Sequence, residues 1–303
     1  MSLKIDNQWN VRGLAGALGA EIRGVELKST TDGDIARIKQ LMTENMVLFF
    51  PEQHLSVDEH VAFGRHFGPL EGHPNLKNPI TQHPELFELA ASEGGVADEW
   101  HTDLTFRAEP STMSILNMVK CPPVGGDTMW TNLCAAFDAL SPPLQEMCEG
   151  LTALHDAHSH GKPDMMAIHP VVRTHPETGA KALYVNEHFT RRIVEMSATE
   201  SNALLPLLTQ WVQNPKFTVR YNWTKGTIGM WDNRCTQHYV LNDFNEERII
   251  QRVTISGDHP LGADPRWEPW TNRRERSAIS RHDRQLARFY KLKNTDAAKE
   301  AAG

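Results

Sequence analysis

Short runs rich in β-branched and aromatic residues constrain this chain most: "FELAAS", "STMSILNMV", "DTMWTN", "HPVVRTH", "KALYVNE", "FTVRYNW", "TIGMWDN" and "RIIQRVTISGD". Turn chemistry separates several of them, notably "PETG" at 176–179 and "TKG" at 224–226. Strands this short and this numerous suit a barrel or a two-sheet jelly roll with helices packed outside. The helices announce themselves by period and by caps. "TDGDIARIKQLMTENM" puts Ile35, Ile38, Leu41 and Met42 on one face, and Ser56/Glu59 and Ser197/Glu200 have capping-box spacing. Ser141 reads as the cap of "SPPLQEMCEG", and Leu204, Leu205, Leu208, Trp211 and Val212 form an apolar stripe that reads as core. The expected fold is mainly β with flanking helices.

At 303 residues the chain is long enough to bury a substantial core, and a net charge of -7 argues against binding a phosphate backbone. No apolar run approaches the roughly 20 residues that span a bilayer, and "MSLKIDNQWN" carries no signal peptide, so a cytoplasmic protein is expected. Four widely spaced cysteines with no Cys-x-x-Cys pair read as buried thiols.

Chemistry enters at "WHTDLTF", residues 100–106. Alternate residues of an extended segment share a face, so His101 and Asp103 can reach one metal ion together. A non-haem iron site of the two-His, one-carboxylate type needs one more imidazole and keeps its opposite face open. Of the 15 histidines, His238 in "GMWDNRCTQHYV" is the best candidate, with Trp231 available to pack beside it. In "ERIIQRVTISGD", Arg248, Ile250, Arg252 and Thr254 share a strand face, which sets the two arginines roughly 13 Å apart. If that face points inward, both guanidiniums need anions; if outward, they are ordinary surface charges.

"WHTDLTF", "GGDTMWTN", "HPVVRTHPETGAKALYVNEHFTRRIV" and "WDNRCTQHYV…ERIIQRVTISGD", in this order, resemble the taurine dioxygenase family of iron(II)- and 2-oxoglutarate-dependent oxygenases. The resemblance implies a double-stranded β-helix (jelly roll) in which His101, Asp103 and His238 hold Fe(II), with 2-oxoglutarate and O2 as cosubstrates. It implies that Arg248 binds the distal carboxylate of 2-oxoglutarate with help from the Thr128 hydroxyl. It further implies that Arg252 grips the anionic end of the primary substrate, with His73 contacting it and Phe189 walling its pocket. A homo-oligomer acting on a small anionic substrate, with no nucleic-acid or membrane partner, is the corresponding expectation.

The chain departs from that pattern in the nine-residue stretch between His238 and Arg248, one residue shorter than in the taurine enzymes, and in three further places. Leu76 stands where the taurine enzymes have Tyr, Ala97 falls near an expected Asn, and "HDAHSHGKPDMMAIHP" is shorter than their lid-bearing insertion. Taurine's ammonium therefore lacks two of its polar contacts; because "HPVVRTHPETG" and "WDNRCTQHY" are most similar to the taurine branch, the resemblance implies a taurine-like sulfonate or an alkyl sulfate as the first expectation and an aryloxyalkanoate as the second. A non-catalytic metal-binding sensor is a remote third. His155, His158 and His160 read as solvated loop histidines. The dioxygenase domain is expected over 1–260. The charged, partly helical tail over 261–303 either covers a neighbouring subunit or is simply solvated, the second being the plainer reading.

Overall fold

The structure, a computed structural model, describes residues 9–73, 82–93, 97–270 and 281–300; Leu76 lies outside the described residues. The chain divides into two compact units, one comprising Met1–Asp98, Ser111–Asn132 and Pro215–Ser256, the other Glu99–Pro110, Leu133–Asn214 and Gly257–Gly303.

The first unit holds two sheets. The larger runs in the order Asn10–Gly13, Ala20–Arg23, Val47–Phe50, Ile228–Asp232, Met113–Lys120 and Ile249–Ile255, and both Leu70–Glu71 and Leu86–Ala90 pair with the last of these. The smaller sets Thr128–Asn132 between Thr218–Tyr221 and Thr236–Val240. Side-chain alternation divides the larger sheet between two cores. Val47, Phe49, Leu116 and Ile250 pack with Trp130 and Val219 of the smaller sheet. Leu48, Phe50, Ile115 and Val253 pack with Ile35, Ile38, Leu41 and Met42 of the helix Asp32–Asn45 and with Val61 and Phe63 of Val57–Arg65. Two sheets sharing an apolar core, with helices on the outer face, are the mainly β jelly-roll architecture expected.

This alternation settles the arginine face. Ile250 belongs to the core between the sheets, so Arg252, at the same parity, turns inward, as does Arg248 just before the strand; only 4% of Arg248 and 8% of Arg252 is exposed.

In the second unit Thr152–Ala157 lies between Thr190–Ile193 and Lys162–Pro170, and "PETG" turns a hairpin between Val172–Thr174 and Lys181–Leu183. The capping boxes at Ser56 and Ser197 are both formed. Ser141 occupies the cap position but its side chain makes no capping bond, and the prolines after it start the helix Pro142–Cys148. In Ala198–Trp211 the apolar stripe is only partly core: Leu208 and Val212 are buried, whereas Leu204 and Leu205 are half-buried.

Two expectations need correction. His155 is not a solvated loop residue but a fully buried member of the Thr152–Ala157 strand, because its position in the alternation faces inward. The tail is not simply solvated either. In the helix Arg281–Glu300, Leu286 and Phe289 pack against Leu154, Val194, Met166 and Ile168, and Gln285 donates to Asp156.

Candidate metal centre and anion sites

His101 and Asp103 stand at the start of the second unit, in a segment whose flanking Trp100 and Phe106 are buried. The Nδ1 of His101 lies 2.7 Å from the backbone oxygen of Glu99. A carbonyl only accepts, so Nδ1 carries the proton and Nε2 is left with its lone pair, the tautomer that a metal-binding imidazole requires. That Nε2 is 3.8 Å from Asp103 Oδ1, a gap one ion can bridge with two bonds of about 2 Å. The donor set therefore fits a divalent metal. Phe189 lies edge-on to both His101 and Phe106, with ring centroids 6.4 Å and 5.2 Å away.

In the first unit, Thr236–Val240 places His238 opposite Trp130 in register, and the two rings stack with centroids 6.5 Å apart. Trp231 approaches the same imidazole to 4.8 Å. His238 is 4% exposed.

The "GGDT" turn sets Thr128 beside Arg248. Gly125 and Gly126 both have positive φ, and a Cβ on Gly125 would fall 2.5 Å from the Asp243 backbone oxygen, so the turn tolerates glycine alone there. Asp127 accepts from Arg220 at 2.6 Å and Asn222 at 2.8 Å, which anchors the strand that follows. The Thr128 hydroxyl oxygen accepts from Trp223 Nε1 at 2.9 Å and from Arg248 Nη2 at 3.4 Å. With both lone pairs engaged, its own O–H remains to donate. Arg248 Nε donates to the Gly126 carbonyl at 3.2 Å. Both of its acceptors are neutral, and among the described residues no carboxylate pairs with it. Burial without a counter-charge lowers its pKa to about 10.

The second arginine is held between aromatic faces. Arg252 lies over the Phe87 ring, its guanidinium carbon 4.7 Å from the centroid, with the Trp231 ring at 5.8 Å. Phe87 sits directly opposite Arg252 in the strand register, and His73 meets the same Phe87 ring at 5.4 Å. The stacked aromatic faces hold the plane of the guanidinium, whose N–H groups fork outward within that plane. Sequence reasoning missed Phe87, reading "FELAAS" only as a strand; cross-strand pairing with Arg252 is a signal available only once the register is known. It also missed His169 and Trp223. Ala97, near the expected Asn, is exposed, and its carbonyl accepts from the Val240 N–H.

Known proteins resemble this chain over most of its length. A sulfate ester dioxygenase of Pseudomonas putida, described as alpha-ketoglutarate-dependent, is 36% identical over 84% of this chain and 92% of its own. An alpha-ketoglutarate-dependent 2,4-dichlorophenoxyacetate dioxygenase of Cupriavidus pinatubonensis is 31% identical over 79% of this chain and 94% of its own. The crystal structure of a putative alpha-ketoglutarate-dependent taurine dioxygenase from Burkholderia xenovorans superposes with a TM-score of 0.78 at 38% identity, covering 86% of this chain and 96% of that one. The family model that matches spans residues 10–254, and the chain belongs to the taurine catabolism dioxygenase TauD, TfdA family.

Proposed function

We propose that the protein is an Fe(II)- and 2-oxoglutarate-dependent dioxygenase that hydroxylates a small sulfate ester or sulfonate. The observation that carries the cosubstrate reading is Arg248, a buried cation whose hydrogen-bond acceptors among the described residues are neutral, set beside a hydroxyl with a proton to donate. Such a corner binds a carboxylate through charge-assisted hydrogen bonds. The sulfur-oxyanion class is supported by the greater identity to the sulfate ester enzyme, 36% against 31% for the phenoxyacetate enzyme.

His101, Asp103 and His238 are buried, each offers one ligand atom, and together they are the ligand set of this reading. Fe(II), when bound there, couples dioxygen reduction and oxidative decarboxylation of 2-oxoglutarate to hydroxylation of the substrate, with succinate and CO2 as co-products. The chain's own residues supply position. Arg248 and Thr128 fix the distal carboxylate of 2-oxoglutarate. Arg252, its planar face held by Phe87 and Trp231, takes the sulfur oxyanion and so aims one C–H bond. His73 and Phe189 line the substrate side, and the apolar walls exclude water. Hydroxylation of the carbon that bears the ester oxygen gives a hemiacetal-like sulfate, which fragments to an aldehyde and sulfate. The reading carries with it a cytoplasmic homo-oligomer; among the described residues no helix is long and apolar enough to cross a membrane.

Succinate release measured across medium-chain alkyl sulfates, alkanesulfonates, taurine and phenoxyacids tests the assignment. Turnover is expected with sulfates or sulfonates. Turnover with phenoxyacids alone would transfer the protein to the aryloxyalkanoate class.

A further inference from the structure

The backbone between the metal-ligand segment and the interior of the second unit takes an unusual step. Leu104, immediately after Asp103, has φ of 56°, a left-handed conformation that a branched L residue adopts only when its surroundings hold it there. The Arg107 N–H closes the turn on the Leu104 carbonyl at 2.9 Å. Behind it stands His169 of the Lys162–Pro170 strand, 1% exposed, with Nε2 2.8 Å from the Thr105 oxygen and 2.9 Å from the Arg107 oxygen. Both partners are carbonyls, so Nε2 carries the proton and donates to the two at once. Burial keeps the ring neutral, its pKa lowered to about 4. The other side of Thr105 is held as well: its hydroxyl meets His155 Nδ1 at 3.0 Å and accepts from Asn186 Nδ2 at 3.1 Å. Asn186 in turn accepts from the Phe189 N–H at 2.8 Å and donates its own backbone N–H to Thr190 Oγ1 at 2.9 Å. Thr105 and His155 are fully buried and Asn186 nearly so.

We propose that His169 is a positioning residue for the metal centre: by clamping the Thr105 and Arg107 carbonyls it holds the left-handed Leu104 step that sets Asp103 against His101, with the Thr105 hydroxyl as the second anchor. The inference rests on the reading of His101 and Asp103 as metal ligands. Any buried imidazole must place its N–H on an acceptor; what singles out His169 is that both acceptors are carbonyls of the one turn that follows Asp103. The same network reaches Phe189, so the ligand turn and the substrate wall share one polar foundation.

The test is Mn(II) affinity, measured by anaerobic calorimetry on metal-free full-length protein, for wild type, His169→Phe, His169→Gln, Thr105→Val and Asp103→Ala. Thermal unfolding without metal is the fold control, and the visible band of the Fe(II)–2-oxoglutarate complex is the second readout. His169→Phe and Thr105→Val are expected to bind Mn(II) about 10- to 100-fold more weakly, the range typical of lost support behind a ligand, and to shift or broaden the band. His169→Gln, whose amide N–H groups can still donate, is expected to bind within about threefold of wild type. Folded His169→Phe and Thr105→Val with wild-type affinity would overturn the proposal, as would His169→Gln binding no better than His169→Phe. If His169→Phe does not fold, Thr105→Val and His169→Gln decide: both near wild type overturns the proposal, and weak Thr105→Val beside rescued His169→Gln supports it. Wild-type affinity in Asp103→Ala would instead sink the metal-ligand reading beneath it.

Discussion

Replacing Arg248 by Met should separate binding from stability in a way that ordinary core substitutions do not. Arg248 is 4% exposed and its pKa is lowered from 12.5 to about 10 by burial. At 1.36 kcal/mol per pKa unit that shift corresponds to a folding penalty on the order of 3 kcal/mol for the charged form. The penalty is present in full at pH 7 to 9, where the group is charged folded and unfolded alike. It is relieved only as pH rises above about 10, where the folded state releases its proton first. Met removes the charge at similar length and forfeits two hydrogen bonds to neutral acceptors, a loss of about 1 kcal/mol each. Without ligand, Arg248→Met should therefore be as stable as wild type or more so. Its 2-oxoglutarate affinity should nevertheless collapse. Two charge-assisted bonds to a carboxylate are worth about 1.5 to 3 kcal/mol each, so a fall of two to four orders of magnitude is expected. Calorimetric titration of 2-oxoglutarate into the anaerobic Mn(II)-loaded protein measures the second effect and chemical denaturation of the apo-protein the first. A variant less stable than wild type by 2 kcal/mol or more, with 2-oxoglutarate affinity within threefold, would show that Arg248 is a structural cation and refute the reasoning.

Thr128→Val keeps the shape and removes the hydroxyl that accepts from Trp223 and Arg248; 2-oxoglutarate affinity should fall about 5- to 10-fold, as for one lost hydrogen bond, and an unchanged dissociation constant would exclude a role for that O–H. Arg252→Ala should raise the KM of the primary substrate far more than that of 2-oxoglutarate, which steady-state kinetics with each varied in turn will show; equal effects would undo the division between the two arginines. Gly125→Ala, at φ of 79° and with its Cβ 2.5 Å from a backbone oxygen, should lower stability by more than 1 kcal/mol, read from the denaturant midpoint. His60 is fully buried with its pKa lowered by desolvation to about 4. Its neutral form is stable in the fold above the unfolded-state value near 6.5, so it contributes a loss of stability as pH falls from 6.5 through 4. A His60→Leu variant should show a shallower decline in denaturant midpoint over that window; an identical slope would mean that the imidazole is protonated in the fold.

Much of the fold was legible because period and capping are local properties. The Ile35–Met42 face and the capping boxes at Ser56 and Ser197 depend on neighbours three and four residues away, and each formed as read. The alternation of Arg248, Ile250 and Arg252 was equally local. Which way that face pointed was not, since both a solvated and a buried pair of arginines fit the same sequence; packing of Ile250 between the sheets decided it. His155 was misjudged for the same reason: a run of three histidines in six residues is polar by composition, yet the strand that carries the first of them faces the interior.

The candidate site divides along the same line. From the chain alone came the residue types and their spacing: the His-x-Asp pair, a third imidazole, the "GGDT" turn and two arginines four apart. Chemistry of that kind is carried by the identity of each side chain and survives without coordinates. Only tertiary structure set the Thr128 hydroxyl against Arg248, slid Phe87 beneath Arg252 through strand register, and put His169 behind the Leu104 turn. These contacts join residues 64 to 165 positions apart, so no local pattern encodes them; they arise when burial of the apolar faces fixes the register and leaves each polar group to find its partner inside.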